Sequence, residues 1–316
     1  PAYEQIKFSV TSHRGCFGGC AFCAITHHQG KTIQSRSKAA LEKEVHQLVK
    51  HPEFRGTISD VGGPTANMYG LGCNNPGAEA MCKRGSCLYP VPCKNLRTND
   101  RPLTALLASL RQHPQIKHVF VASGVRYDLL PFQPEYFAAL LTHHVGGLLK
   151  VAPESTVDDV TQVMRKPGVK IFTDFLEAFR QRSRKLGLRQ ALVPYLISGH
   201  PGCTLADMVE VALYLKHHRL RVEQVQDFTP TPGSLATCIY HTGIDPFTGQ
   251  KLHIPRSEGE KKLQKALLLY HQPQMRKFVL EALKLCGREE AAGELLSCGD
   301  GFSRSTKTGA KPSRPL

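Results

Sequence analysis

The sequence predicts an α/β fold: a partial (β/α)6 barrel of the TIM type with additional helices at its C-terminal end. Six short β-type runs alternate with helical patterns up to residue 228. Glycine, proline or polar residues follow most runs, which is where the loops of such a barrel carry functional groups. After residue 228 the pattern becomes helical. Strand–helix alternation implies parallel strands joined by right-handed crossovers.

Each predicted strand is a short run of alternating or continuous apolar residues. The first covers residues 5–11, where Ile6, Phe8 and Val10 alternate with polar residues. The other five predicted strands are residues 56–61, 117–122, 147–152, 190–197 and 222–228.

The intervening helices are predicted from apolar residues spaced three and four apart and from capping residues. Leu41 and Val45 share a face of a helix near residues 37–50. Pro102 occupies the first turn of the next helix, where a missing N–H costs nothing. Three pairs have capping spacing: Ser155 with Asp158, Thr204 with Asp207, and Ser257 with Glu260. Later helices are predicted at 273–285 and 288–296.

We expect a barrel domain at residues 1–250, interrupted by a cysteine-rich insertion at 65–101. A C-terminal helical segment follows at 251–296. Residues 297–316 are rich in Gly, Ser, Thr, Lys and Arg, which predicts a disordered basic tail. The chain begins at Pro1 and enters a predicted strand almost at once, so we expect a fragment that lacks an upstream domain.

The composition favours a cytoplasmic globular protein and excludes a membrane span. Hydrophobic residues make up 41% of the 316 residues, and no apolar run reaches the length of a transmembrane helix. The eleven cysteines cluster with metal-ligand spacing instead of spreading as in a secreted disulfide scaffold. The formal charge of +15 favours an anionic partner such as nucleic acid.

The most informative motif is GCFGGCAFC at residues 15–23, which we call the cysteine loop. Cys16, Cys20 and Cys23 form a C-x3-C-x2-C pattern. Three thiolates can hold three irons of a [4Fe–4S] cluster and leave the fourth iron open, as a catalytic metal site requires. The alternatives are a zinc knuckle, a disulfide pair with one free thiol, or three unrelated buried cysteines.

This spacing, with the aromatic Phe22 before the third cysteine, resembles the signature of the radical S-adenosylmethionine (SAM) enzymes. The resemblance implies that Cys16, Cys20 and Cys23 ligate a [4Fe–4S] cluster and that SAM chelates the open iron. It also implies reductive cleavage of SAM to a 5′-deoxyadenosyl radical that abstracts a substrate hydrogen. An electron donor such as flavodoxin or ferredoxin is then an expected partner.

Three further motifs extend the resemblance to the SAM pocket. Gly62 and Gly63 stand in the place of the family's Gly-Gly-Glu motif, with Pro64 where the glutamate is expected. Glu154, after the fourth predicted strand, resembles the segment that meets the SAM ribose in the methylthiotransferase-like branch. The turn that begins at Gly199 resembles that branch's Gly-x-Pro-Gly turn near the adenine.

Over residues 3–296 the chain is similar to the YgiQ-like radical SAM proteins. The segment DVGGPTANMY at residues 60–69 and the cysteines that follow it carry this closer resemblance. It defines the class of chemistry and leaves the substrate open.

A second cysteine group lies in the insertion, with the spacing C-x8-C-x4-C-x5-C. A long loop with little secondary structure usually needs a cross-link. Four thiolates can hold zinc or a second iron–sulfur cluster, and the alternatives are two disulfides or uncoordinated thiols. The members of this group are Cys73, Cys82, Cys87 and Cys93.

Two functions follow from these patterns. The leading hypothesis is a cytoplasmic radical SAM enzyme. The rival is a non-enzymatic binding module. In it, zinc bound at both cysteine groups cross-links the chain, and the basic surface contacts RNA or ribosomes. Candidates for substrate contact at predicted strand ends are Ser123, Arg126, Asp128 and Lys150.

Overall fold

A computed structural model describes residues 2–297, and it contains six parallel strands in the predicted order. The second strand is interrupted at Ser59, and the fourth and fifth are the longest. The strands are β1 (Ser9–Thr11), β2 (Thr57–Ile58 and Asp60–Gly62), β3 (His118–Val119), β4 (Leu148–Glu154), β5 (Ala191–Ser198) and β6 (Val225–Asp227).

Every strand neighbours the next strand in the sequence, in parallel. Val10 of β1 is opposite Val61 of β2, and Ile58 of β2 is opposite Val119 of β3. A bridge between Val125 and Val151 joins the segment after β3 to β4, and β4, β5 and β6 form one sheet. Within residues 2–297 the structure has no pairing of β1 with β6. The predicted partial barrel is therefore confirmed, with its open side between the first and last strands.

Helices fill the crossovers and continue after β6. The predicted capping box of Thr204 and Asp207 is present at the start of α9, and Ser257 caps α11. The helices are α1 (Ala2–Ile6), α2 (Ile25–His28), α3 (Lys38–Leu48), α4 (Pro76–Ala80), α5 (Arg101–Arg111), α6 (Pro134–Ala139), α7 (Asp158–Met164), α8 (Val169–Lys185), α9 (Leu205–His217), α10 (Leu235–Thr242), α11 (Glu258–Leu268), α12 (Arg276–Leu285) and α13 (Ala291–Leu295).

Three details of the prediction are wrong. Ile6 belongs to α1 and is 62% exposed, so only the second half of the first predicted strand pairs in the barrel. Val222 is buried in the loop before β6, which is shorter than predicted. Ser155 does not cap α7, because the helix begins two residues later, after Val157, whose N–H donates to Ser155 Oγ.

The insertion at 65–101 has little regular structure. It contains a 3-10 turn (Ala66–Met68), α4, and an antiparallel pair of Gly72–Cys73 with Leu96–Arg97. It packs on a small apolar cluster separate from the main core, formed by Phe17, Ile33, Met68, Leu71, Leu88 and Leu129.

The C-terminal helices α11, α12 and α13 pack on α9, and α11 also contacts β5 and β6. None of the helices within residues 2–297 is both long enough and apolar enough to cross a membrane. The predicted basic tail lies outside the described residues apart from Ser297. The proposed boundary at residue 250 stays a prediction.

Candidate functional site

The cysteine loop follows β1 and is tied to distant elements by backbone hydrogen bonds. The Ala21 N–H donates to the Met164 carbonyl at the end of α7, at 2.9 Å. The Ala236 N–H of α10 donates to the Ala21 carbonyl at 2.8 Å. The Cys16 N–H donates to the Gly30 carbonyl at 3.1 Å. The loop is thus held from three directions, as a site of fixed geometry requires.

The insertion covers the other side of this loop. The Cys87 N–H donates to the Phe17 carbonyl at 2.9 Å. Gly19 has φ +62°, and a Cβ there would lie 2.5 Å from the Gly85 carbonyl oxygen. Only glycine permits both this left-handed conformation and this close approach of two backbones.

The three thiols of the loop are free and half-buried. Burial raises the pKa of Cys16 and of Cys23, and the neighbouring Cys20 thiol raises both further. The three sulfurs therefore lie close enough to interact electrostatically. Within residues 2–297, however, no three His, Cys, Asp or Glu side chains converge on the position of a single metal ion.

Arg126 supplies the positive charge beside the thiols. Its Nη1 donates to Cys20 Sγ at 3.4 Å, while Nε and Nη2 pair with the Asp128 carboxylate at 2.9 and 2.7 Å. Burial acts to raise the pKa of Asp128, but the Arg126 guanidinium outweighs it and lowers that pKa. A Cβ at Gly18 would lie 2.9 Å from Arg126 Nη1, so this glycine admits the guanidinium.

A buried amide network fixes the backbone of Arg126. The Arg126 N–H donates to Asn67 Oδ1 at 2.8 Å, and Asn67 Nδ2 donates to the Arg126 carbonyl at 3.0 Å. Gln133 completes the network through two hydrogen bonds with Asn67. Asn67 and Gln133 are both 0% exposed, and because both amides are satisfied the network rigidifies the site.

Gly62 and Gly63 lie at the end of β2. A Cβ on Gly62 would meet Ser123 Oγ at 2.5 Å, and one on Gly63 would meet the His13 ring at 2.6 Å. The Asp60 carboxylate accepts from the N–H groups that follow β3, which draws the Ser123 loop against Gly62. A cavity of about 330 Å³ opens beside the two glycines.

Glu154 ends β4 with φ +68° and is only 8% exposed. Its Oε2 is buried and has no hydrogen-bond partner in the described part of the chain. Burial raises the pKa of Glu154, while Lys166 and Arg126 act to lower it. The carboxylate is close enough to Cys23 to contribute to the raised pKa of that thiol.

The turn after β5 brings a buried imidazole to the site. Gly199, at φ +73°, donates its N–H to Gln264 Oε1 of α11 at 2.8 Å. Burial lowers the pKa of His200 to about 4, so the ring is neutral, and its Nδ1 donates to the Pro201 carbonyl at 2.7 Å. His200 Nε2 is then a buried acceptor, and it lacks a partner among residues 2–297.

Aromatic rings connect this imidazole to the cysteine loop. The His200 ring centroid lies 6.0 Å from that of Phe22, at a right angle, and 5.2 Å from that of Phe228 after β6. Phe22 immediately precedes Cys23, so the rings lead from the thiols to the end of β6.

A larger cavity, of about 570 Å³, adjoins Arg126 and Asp128. The insertion forms one wall, and α8 forms the opposite wall. Its lining combines apolar surface with cationic groups, including Leu88, Phe132, Phe137, Phe175, Lys166 and Arg182.

The structure brings most of the predicted site residues to one end of the barrel. Cys16, Cys20, Cys23 and Glu154 lie close enough to interact electrostatically, and Gly199 is near them because its neighbour His200 contacts Phe22. Ser123, Arg126 and Asp128 also lie here. Lys150 does not, because it is exposed in the middle of β4. The roles of Asn67, His200 and Gln264 were missed. Asn67 bonds Arg126, the His200 ring packs on Phe22 and Phe228, and Gln264 bonds Gly199, and none of these contacts follows from a local pattern.

The donor set fits an iron–sulfur cluster with a polar ligand beside it. Three soft thiols lie on one loop with a cation beside them, and thiolates are the ligands that iron–sulfur clusters take. Glu154 Oε2 and His200 Nε2 are among the buried polar atoms without partners in the described chain, and a molecule bound at this end of the barrel can satisfy both.

Comparisons with known proteins give consistent matches. The Radical SAM superfamily model matches residues 10–215, and a domain of unknown function, DUF3362, matches residues 223–300. The chain is 59% identical over 315 residues to the UPF0313 protein GSU2873 of Geobacter sulfurreducens, covering 99% of this chain and 52% of that protein. It is 44% identical over 304 residues to the UPF0313 protein YgiQ of Escherichia coli K12, covering 94% of this chain and 41% of YgiQ.

The chain spans about half the length of the curated relatives it matches. Among solved structures, the radical SAM methyltransferase TsrM of Kitasatospora setae, with tryptophan and a SAM analogue bound, aligns with a TM-score of 0.44 at 13% identity. That alignment covers 73% of this chain and 38% of TsrM. The similarity to YgiQ predicted from the motifs is confirmed.

Proposed function

The chain belongs to the radical SAM superfamily, a family of enzymes, and from that membership we propose that it cleaves SAM reductively at a [4Fe–4S] cluster held by Cys16, Cys20 and Cys23. The observation that carries the proposal is the set of three thiols beside the buried Glu154 carboxylate, whose Oε2 lacks a hydrogen-bond partner within residues 2–297. When bound, the cluster and SAM supply the electron and the hydrogen-abstracting radical, while the protein supplies binding and orientation.

Around the cluster, the residues of the chain provide charge and exclude water. Arg126 opposes the negative charge of the thiolates, and Asp128 fixes the plane of its guanidinium. The insertion shields the loop from one side through its contact with Phe17. A dry site strengthens each of these electrostatic interactions.

Around SAM, we assign roles to two groups that lack partners in the described part of the chain. Glu154 Oε2 accepts a hydrogen bond from a hydroxyl, and His200 Nε2 accepts one from an N–H. Gly62 and Gly63 line the cavity at the end of β2, and their lack of side chains lets Ser123 and His13 pack against that backbone. Phe22 and Phe228 offer ring surface on both sides of His200. The departure at Pro64 removes any side-chain contact from the third position of that motif.

We further propose a cytoplasmic setting. Because one electron is consumed for each SAM cleaved, we also propose a low-potential electron donor such as flavodoxin or ferredoxin. The formal charge of +15 supports an acidic donor surface and equally an RNA substrate. RNA binding that weakens as the salt concentration rises would support the RNA substrate over the acidic electron donor.

The test is anaerobic reconstitution with iron and sulfide, followed by dithionite and SAM. We expect a brown protein that absorbs near 400 nm and forms 5′-deoxyadenosine. The Cys16→Ala variant should lose product formation, because the cluster loses one of three ligands. Cys238→Ala, an exposed thiol on α10, is the matched control and should behave as wild type.

Two results contradict the proposal. One is a Cys16→Ala protein that keeps its full iron content and still cleaves SAM. The other is a colourless wild-type protein that contains zinc alone, which supports the rival zinc-stapled module.

A further inference from the structure

The insertion brings four thiols from separated positions to one small cavity. Cys73, Cys82, Cys87 and Cys93 all line a space of about 50 Å³. The other walls are mainly apolar, with Phe17, Ile33 and Leu96 among them. All four thiols are free in the structure.

Local hydrogen bonds hold these cysteines in place. The Cys93 N–H donates to the Cys87 carbonyl at 2.8 Å, and the Leu96 N–H donates to the Cys93 carbonyl at 2.9 Å. Cys73 lies on the short strand opposite Leu96. Three separate turns of the insertion thus meet at the cavity.

A cation lies at the rim of the same cavity. Lys31 Nζ is 3.2 Å from Cys82 Sγ and 2.8 Å from the Arg84 carbonyl. A thiolate set carries negative charge, so a lysine fixed by the insertion backbone is suited to offset it.

We propose that Cys73, Cys82, Cys87 and Cys93 hold a second [4Fe–4S] cluster, closed by four protein thiolates. A single zinc ion requires its four sulfurs at about 2.3 Å from one point. Within residues 2–297 no three candidate ligands converge in that way, whereas the four thiols line one mainly apolar space that opens to solvent at Cys82. Four cysteine thiolates are the ligands of a closed cubane cluster.

The second cluster gives the insertion the cross-link that its fold lacks. Between α4 and the strand at Leu96–Arg97, the chain forms neither helix nor strand. Yet this stretch supports the cysteine loop, because Ser86 Oγ donates to the Gly18 carbonyl at 2.7 Å. Cys16 and Cys87 also pack against the same small apolar cluster. The second site therefore stabilises one wall of the first.

The test counts metals in three reconstituted proteins and does not require activity. Wild type should contain about eight irons, and the Cys16→Ala/Cys20→Ala/Cys23→Ala variant about four. The Cys82→Ala/Cys87→Ala/Cys93→Ala variant should also contain about four. Cys238→Ala is the matched control with wild-type content. Electron paramagnetic resonance of the reduced proteins should resolve two different cluster signals.

The variant without the first three thiols decides the proposal. If it contains no iron, or one zinc and no iron, the second cluster does not exist. If the variant without Cys82, Cys87 and Cys93 fails to fold for lack of its cross-link, Cys93→Ser is added to the Cys16→Ala/Cys20→Ala/Cys23→Ala variant, and its iron signal is measured. The proposal requires that this substitution change the remaining iron signal, and an unchanged signal overturns it. Failure of SAM cleavage in wild type affects the proposed function alone.

Discussion

The two cysteine groups differ in what holds them. The cysteine loop follows β1 and is hydrogen-bonded to α7 and α10, and Arg126 lies beside it. The second group lies on an insertion with little regular structure, and hydrogen bonds between neighbouring turns of that insertion hold its cysteines. The first group has three thiols and unpartnered polar atoms nearby, whereas the second has four thiols and apolar walls. Open ligation on a rigid scaffold indicates chemistry, and closed ligation on a loop indicates structure.

The largest expected effect separates the two groups by activity. The Cys20→Ser variant should form 5′-deoxyadenosine only at background level, because the site loses a ligand of its reactive cluster. The Cys93→Ser variant should still form it. Both rates are measured by chromatography after anaerobic reconstitution. If Cys93→Ser abolishes SAM cleavage and Cys20→Ser preserves it, the roles of the two groups are reversed.

The next effect concerns the charge beside the first group. Arg126→Met leaves Asp128 buried and unpaired, which should lower the free energy of unfolding by about 3–5 kcal/mol. Urea denaturation of the metal-free protein measures it. Lys170→Met removes an exposed ion pair with Asp174 and should cost less than about 1 kcal/mol.

Restoring neutrality sharpens the result for Arg126. The double variant Arg126→Met/Asp128→Leu should recover much of the lost stability, because no uncompensated charge stays buried. Equal stabilities of the single and double variants would contradict a buried ion pair at this position.

A smaller effect tests how closely the two regions are joined. Gly19→Ala and Gly30→Ala both place alanine at positive φ, which costs about 1–2 kcal/mol. Only Gly19 faces a backbone atom, the Gly85 oxygen, since a Cβ on Gly30 would meet open space. Gly19→Ala should therefore cost more and speed hydrogen exchange at the Cys87 amide. Equal losses of stability in the two variants would contradict close contact between the insertion and the cysteine loop.

The smallest expected effect is a pH dependence at Glu154. Burial raises the pKa of Glu154 above its usual value of 4.5, so the folded protein holds this proton more tightly than the unfolded chain does. The stability that this proton contributes is fully present below the pKa of Glu154 in the unfolded chain, and it is lost as pH rises through the pKa of Glu154 in the folded protein. Relative to wild type, metal-free Glu154→Gln should gain stability as pH rises over this window. A difference in urea midpoint that does not vary with pH would contradict the burial of this carboxyl.

The sequence predicted features that depend on neighbouring residues. Six apolar runs and the C-x3-C-x2-C loop are local patterns, and the strand order agrees with the structure. The sulfurs of Cys16, Cys20 and Cys23 interact electrostatically there, and their role as cluster ligands stays a prediction. The capping box of Thr204 and Asp207 is local as well and is present.

Features that depend on distant partners escaped prediction. Arg126 contacts Cys20 across more than a hundred residues of chain, and Asn67 bonds Gln133 from another crossover. No spacing rule connects such residues. The segment DVGGPTANMY was noted only as a family feature. The structure supplies physical reasons for it, because Asp60, Gly62 and Asn67 each position a loop of the site. Ile6 misled the strand assignment, because an apolar residue continued the alternation without being buried.

The contact of Gln264 with the turn after β5 joins the two matched regions of the chain. Gln264 lies in the region matched by DUF3362, while Gly199 and Cys203, whose backbones it binds, lie in the region matched by the Radical SAM model. Because Gln264 is 0% exposed, water does not reach these two hydrogen bonds, and the turn depends on a side chain from the other region. A change in the packing of α11 is therefore expected to affect the end of β5, even though α11 carries none of the cysteines.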